Sequence, residues 1–232
     1  MEIARDRAPA DRPFVYVNMV MTVDGRTARD GSSSSLGGAA DLETLLELRT
    51  LADAVLIGTG TLRAEGYARL LGNPERRARR VADDMAEDPV AVLISRRFDI
   101  PWEAGLFAAP EQPVLIYSAI AGVVPDVPAP VEGVPISTLA AALTDLRRRG
   151  VRTLLCEGGP TLNRALLADG LVDELFVTLT PLLTGDDSVE TILAGGRLPV
   201  PADLRLLSVR QVGSELFLRY AVTGGSAPPL FT

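Results

Sequence analysis

Short apolar runs alternate with helical segments along this chain, and that alternation narrows the fold more than any other feature. PFVYVNMVMTV has no helical period, is rich in β-branched and aromatic residues, and reads as a buried strand ending at the turn pair Asp24-Gly25. A helix follows in DLETLLELRTLAD, opened by Asp41, with Leu42, Leu45, Leu46 and Leu48 expected as its apolar face. AVLIG, PVAVLIS, PVLIYS, RTLLCE and ELFVTLTPLL read as further strands. LAAALTDLRRRG, begun at Thr138 and stopped by Gly150, and PTLNRALLADG, with proline near its first position and glycine at its end, read as helices. LRLLSVRQVGSELFLRYAV alternates about a glycine turn and predicts an antiparallel hairpin. The pattern predicts an α/β fold: a mostly parallel central sheet, helices on both faces, and the hairpin at its C-terminal end.

Residues 1–12 read as a loose arm, 13–224 as one domain and 225–232 as a tail. The Pro-rich stretch GVVPDVPAPVEGVP reads as extended linker or edge, with strands on both sides, so it marks no convincing boundary. NPERRARRVADDMAED reads as a charged surface helix or loop. Arg76, Arg77, Arg79 and Arg80 are expected on its solvated face, balanced by Asp83, Asp84 and Glu87.

Two absences bear on chemistry. The chain has no histidine, and all 23 of its basic residues are arginine. Without lysine there is no Schiff base and no P-loop. Without histidine there is no Ser-His-Asp triad, and one cysteine cannot build a zinc cluster. A cofactor that carries the hard step suits this inventory, because the protein then binds, orients and polarises. The net charge of -7 argues against a general affinity for nucleic acid. No apolar run approaches the ~20 residues of a membrane helix, and MEIARDRAPADRPF has no leader pattern, so a cytoplasmic protein is expected.

Two glycine turns stand out. Gly58 and Gly60, ahead of Thr61, follow AVLI; Gly58 to Thr61 reads as a small-residue turn into a helix start, whose free N–H groups suit a phosphate. In CEGGPTL, Gly158 and Gly159 follow another strand and lead into a second helix start. Two such turns suit a dinucleotide. Ser95 and Arg96, after PVAVLI, offer a hydroxyl and a guanidinium for the ribose 2′-phosphate of NADPH. Asp24 and Glu157 each end an apolar strand beside glycine. Partial desolvation there is expected to raise a carboxyl pKa and suit it to hold a proton, although Asp24 is also explained as a plain Asp-Gly turn. Cys156 points to the face opposite Glu157 and reads as a small core residue.

NMVMTVDGRTA, LRTLADAVLIGTGTLRAEGY and LLCEGGPTLNRALLADGLVDELFVTLTPLLTG, in this order and spacing, resemble the reductase domain of bacterial riboflavin-biosynthesis deaminase-reductases, over nearly the whole chain. The resemblance implies a dihydrofolate-reductase-like fold, NADPH as cofactor, a homodimer, and reduction of the ribosyl group of an aminouracil ribosyl phosphate to ribityl. Carried over by position, the family's NADPH contacts fall on Val20, Thr61, Glu65, Ser95 and the turn Gly159, Pro160, Thr161, Leu162. Its substrate contacts fall on Ser33 or Ser34, Arg49 and Glu157. Two departures concern the substrate. The family's lysine is replaced by Asn18, and its DDP-x-LT segment with a following arginine is replaced by EGYARLL, where Arg69 stands in for the sugar-phosphate contact. An NADPH-dependent reductase is therefore expected, acting on the aminouracil ribosyl phosphate or alternatively on dihydrofolate or another pterin. The reading from another class is a non-catalytic NADP-binding protein.

Overall fold

In the computed structural model, which describes Ile3 and residues 5–224, nine strands form one sheet. They are β1 (Phe14–Thr22), β2 (Ala54–Gly58), β3 (Val90–Ser95), β4 (Val114–Ser118), β5 (Val131–Pro135), β6 (Thr153–Cys156), β7 (Glu174–Thr180), β8 (Asp203–Val212) and β9 (Glu215–Thr223). The helices are α1 (Ala39–Leu51), α2 (Thr59–Glu65), α3 (Pro74–Ala82), α4 (Leu139–Arg148) and α5 (Pro160–Ala168). The spatial order is β5-β4-β3-β2-β6-β1-β7-β9-β8. Strands β1 to β7 run parallel, and the hairpin β8–β9 adds two antiparallel strands beyond β7. The α/β class, the parallel sheet and the closing hairpin are as the sequence predicts. The Pro-rich stretch contributes the edge strand β5. The tail 225–232 lies outside the described residues.

Alternation along the strands explains the layers. Tyr16, Val55, Ile57, Leu93 and Leu155 face one side, where Leu48 of α1 and Leu62 of α2 cover them. Val15, Val17, Leu56, Val92 and Cys156 face the other, under Leu143 and Leu146 of α4 and Leu166 of α5. Cys156 is fully buried as expected, and burial pushes its thiol up to about 12.

Three local expectations are corrected. Helix α1 begins two residues before Asp41, with Gly38 as N-cap, and its inward residues are Thr44, Leu48 and Thr50. Leu42 is 56% exposed, so the leucine face does not pack as a unit on the sheet. The arginine helix α3 is solvated only in part: Arg79 is exposed and Arg77 pairs with Glu87 as expected, but Arg76 and Arg80 are drawn inward. Arg76 pairs with Glu43 and Glu47, and Arg79 with Glu47, which lays α3 along α1; Arg77 reaches Glu87. Arg80 is buried, donating to the carbonyls of Thr50 and Ala52 where α1 ends, and to Ala86. It thus satisfies acceptors that a helix C-terminus leaves open. The arm also has anchors: Ile3 joins the core, and Arg12 grips Asp173 with two hydrogen bonds.

Arg80→Met keeps much of the side-chain volume but leaves buried carbonyls without donors. Urea unfolding is expected to show a loss of about 3 kcal/mol. A loss below ~0.5 kcal/mol, the range of ordinary surface changes, would show that the α1 terminus does not depend on this arginine.

Candidate active site

The chain leaves β1, builds β2 to β5 on one side, and returns to insert β6 between β2 and β1. Connections therefore diverge beside the carboxyl ends of the central strands, where open α/β sheets hold ligands. A cleft of about 1620 Å³ opens there. Typical small-molecule pockets run to roughly 1,000 Å³, so this one has room for a dinucleotide and a second molecule together.

The glycine turns meet at its floor. The N–H of Gly58 donates to Gly158 O at 2.7 Å, so this N–H is spent within the protein rather than offered to a ligand. The segment after Gly58 is not an open turn: α2 begins at Thr59, and Gly60 lies inside it. A methyl on Gly58 would sit 3.2 Å from both Gly158 O and Gly159 N, and one on Gly159 would sit 2.9 Å from Thr61 Oγ1. Gly158 has φ of +79°. The glycines thus allow two backbones to touch and bring the starts of α2 and α5 side by side. Gly58, Gly60, Thr61 and Gly159 line the cleft, as do Pro160, Thr161 and Leu162 at the start of α5. Gly158 supports them from beneath.

The expected residues from other elements converge on the same space. Ser95 and Arg96 line it at the end of β3. Ser95 Oγ accepts from Asp99 N–H at 3.0 Å, which shapes that turn, and Arg96 extends exposed with no ion pair among the described residues. Asn18 and Val20 line it from β1. Ser33 and Ser34 border it from the loop before α1, which Glu65 ties down by accepting from Ser32 Oγ and Ser33 N–H, both at 2.8 Å.

The strongest interaction lies at the centre. Glu157, 7% exposed, accepts two hydrogen bonds from Arg49 at 2.6 and 2.7 Å and one from the Tyr67 hydroxyl at 2.7 Å. Burial opposes the charge on Arg49, and Glu157 beside it more than compensates. Burial also pushes the Tyr67 phenol well above its usual range, with the charge of Glu157 adding, so the phenol remains a donor. Sequence reasoning missed Tyr67; its signal was the EGY that replaces the family's acidic segment.

Two expectations fail. Asp24 does not line the cleft. It accepts from the Thr22 hydroxyl and the N–H groups of Gly185 and Thr184, and these donors hold its carboxyl below the usual carboxylate range rather than raising it. It fastens the loop after β7. Arg69 lines the cleft, but its guanidinium is gripped by Asp88, with Glu87 and Glu111 near, so it is not free for a sugar phosphate.

Among the described residues there is no helix long and apolar enough to cross a membrane, and no cluster of side chains suited to a metal ion. A family model described as the RibD C-terminal domain matches residues 13–218. A 2,5-diamino-6-ribosylamino-4(3H)-pyrimidinone 5′-phosphate reductase of Methanothermobacter thermautotrophicus is 32% identical over 222 residues, 92% of this chain and 100% of its own length. Riboflavin biosynthesis protein RibD of Mycobacterium tuberculosis is 31% identical over 89% of this chain and 53% of its own. The crystal structure of a pyrimidine reductase-like protein from Corynebacterium diphtheriae superimposes with a TM-score of 0.78 at 25% identity, covering 92% of this chain and 93% of that one.

Asp24→Asn and Glu157→Gln separate the two carboxylates. Glu157→Gln strips Arg49 of its buried counter-charge and is expected to lower reductase turnover about a hundredfold. Asp24→Asn is expected to keep turnover and lose hydrogen-exchange protection at Thr184 and Gly185. Equal losses of turnover in both variants would return Asp24 to the chemistry.

Proposed function

We propose that this chain, which belongs to the RibD C-terminal domain family, is an NADPH-dependent reductase that converts the ribosyl group of an aminopyrimidine ribosylamino phosphate to ribityl. The observation that carries the reading is the polarity of the cleft along the sheet. One end holds the exposed Arg96 and the starts of α2 and α5; the centre holds the Arg49–Glu157–Tyr67 network; the far end is walled by Asn18 and the serine loop.

The residues present fit a nicotinamide dinucleotide. The paired glycines keep backbone bare where a Cβ would intrude, and the N-termini of α2 and α5 face the same space. Thr61, Thr161 and Leu162 would hold the pyrophosphate, and Arg96 with Ser95 would hold the 2′-phosphate that distinguishes NADPH. When bound, that cofactor supplies the hydride. The chain's own part is positioning: well-oriented reactants gain up to ~7–11 kcal/mol over free ones. Arg49 and Tyr67 fix the carboxylate of Glu157, and Val20 and Asn18 wall the sugar carbon on the β1 side. A sugar imine or aldehyde carbon needs a proton delivered to its heteroatom as hydride arrives.

A homodimer is part of this reading. Edge strand β8 exposes Leu204, Leu206 and Val209, and a long apolar edge of this kind is normally covered.

The function is tested by following NADPH oxidation with the aminopyrimidine ribosyl phosphate beside dihydrofolate. Turnover of the first supports the reading; turnover of dihydrofolate alone replaces it with a pterin reductase, and NADPH binding without turnover of either replaces it with a non-catalytic protein. Arg96→Ala is expected to raise KM for NADPH about tenfold to a hundredfold and leave NADH unaffected, with kcat unchanged. An equal change for both cofactors would remove Arg96 from the 2′-phosphate.

A further inference from the structure

Between β7 and β8 the chain runs from residue 181 to 202 without a helix or strand. Irregular connections of this length are uncommon inside a domain and usually serve a function. This one borders the cleft, which Val189, Glu190 and Gly195 help to line. Every residue from 181 to 202 is exposed or half-buried, so the segment leans on hydrogen bonds rather than on a core of its own. Its first half is fastened just after the Asp24-Gly25 turn. Arg26 donates to Val189 O at 2.8 Å, and Thr27 donates to Glu190 O through its N–H at 3.2 Å and its hydroxyl at 2.9 Å.

The second half is tied down on α5. Asn163 Nδ2 donates to Ile192 O at 3.1 Å, and the N–H of Ala194 donates to Pro160 O at 3.2 Å. Arg164 donates from Nε to Gly196 O at 3.0 Å and from a terminal nitrogen to Arg197 O at 2.9 Å. Gly195 and Gly196 lie within this stretch, with φ of +87° and +113°, where only glycine turns the chain without strain. A methyl on Gly195 would lie 3.8 Å from Thr161 Cγ2, in the first turn of α5. The segment is therefore the outer wall of the turn that the reductase reading gives to the pyrophosphate, and a dinucleotide laid there has the segment beside it. The two bonds from Arg164 lie at the surface, where water competes for both partners, and contacts of that kind open at low free energy.

Resting on the reductase reading above, we propose that residues 191–197 form a gate beside the cofactor and that Arg164 is its latch. The gate swings between the Thr27–Glu190 fastening and the pair Gly195-Gly196. Latched, it walls the pyrophosphate against α5; released, it lifts and the nucleotide passes in or out. Arg164 sets how fast the cofactor exchanges rather than how tightly it is held, because a gate adds the same barrier in both directions.

The experiment follows NADPH binding to the full chain by stopped-flow nucleotide fluorescence. Arg164→Ala removes two of these four ties to α5 and no buried side chain. The on-rate and the off-rate are each expected to rise about tenfold, with Kd held within about threefold, the size expected for two ordinary hydrogen bonds lost from the closed gate. Hydrogen exchange at the amides of 192–197 in the nucleotide-free protein is expected to speed up by about the same factor. Arg164→Lys, which keeps a donor, is expected to fall between. An off-rate that rises alone, with Kd weakened in proportion, makes Arg164 a ligand of the cofactor phosphate and overturns the gate. Rates and exchange that the variant leaves unchanged overturn it too. If the unmodified protein does not bind NADPH, the reductase reading falls and the gate with it; if NADPH binds and only the kinetics stay fixed, the gate alone falls.

Discussion

Arg49 and Glu157 bring opposite charges together where little water reaches, joining α1 to the end of β6, and Tyr67 adds the segment that follows α2. Such a pair adds little net stability, because desolvating both ions offsets most of their attraction. Its contribution is geometric. Two parallel hydrogen bonds fix the plane of the carboxylate, and three segments far apart in sequence must arrive in register for it to form. The helix that carries Arg49 also carries Asp41, and the strand that carries Glu157 leads directly into the glycine turn. One buried contact therefore sets the spacing between the end of the cleft beside Arg96 and the end walled by Asn18.

The glycines work with that pair. Gly58 and Gly158 touch backbone to backbone, which locks β2 and β6 at their carboxyl ends and leaves the first turns of α2 and α5 facing one space. Side by side the two turns bring two helix starts to one cleft, whose remaining walls come from β1, β3 and the loop before α1.

Much of this was legible in the residues. The strands announced themselves by β-branched runs, and α4 by its cap, Thr138, which accepts from the backbone N–H of Ala141. The glycine turns, Ser95, Arg96, Arg49 and Glu157 all reach one cleft. What the sequence concealed was pairing. Asp24 and Glu157 look alike in sequence, each a carboxylate before a glycine at a strand end. One meets hydroxyl and backbone donors at the surface and titrates low; the other meets an arginine and a phenol in the interior. Arg69 and Arg80 look like solvated charges because their partners, Asp88 and the carbonyls of α1, lie elsewhere in the chain or on its backbone. The leucines of α1 misled for a related reason: apolar residues wall a cleft as readily as they fill a core, and Leu42 and Leu45 do the former.

The late insertion of β6 has a consequence for how the molecule comes into being. Strand β1 pairs with β6 and β7 alone, and β2 reaches β1 only through β6. Until the ribosome has released residues 153–180, the first strand has no neighbour in the sheet, and its apolar run waits unpaired while β2 to β5 can already assemble. Contacts of such long range make folding slow and leave a sticky segment open to wrong partners. The topology that opens the cleft thus places an aggregation hazard at the molecule's own N-terminal strand, during synthesis rather than after it.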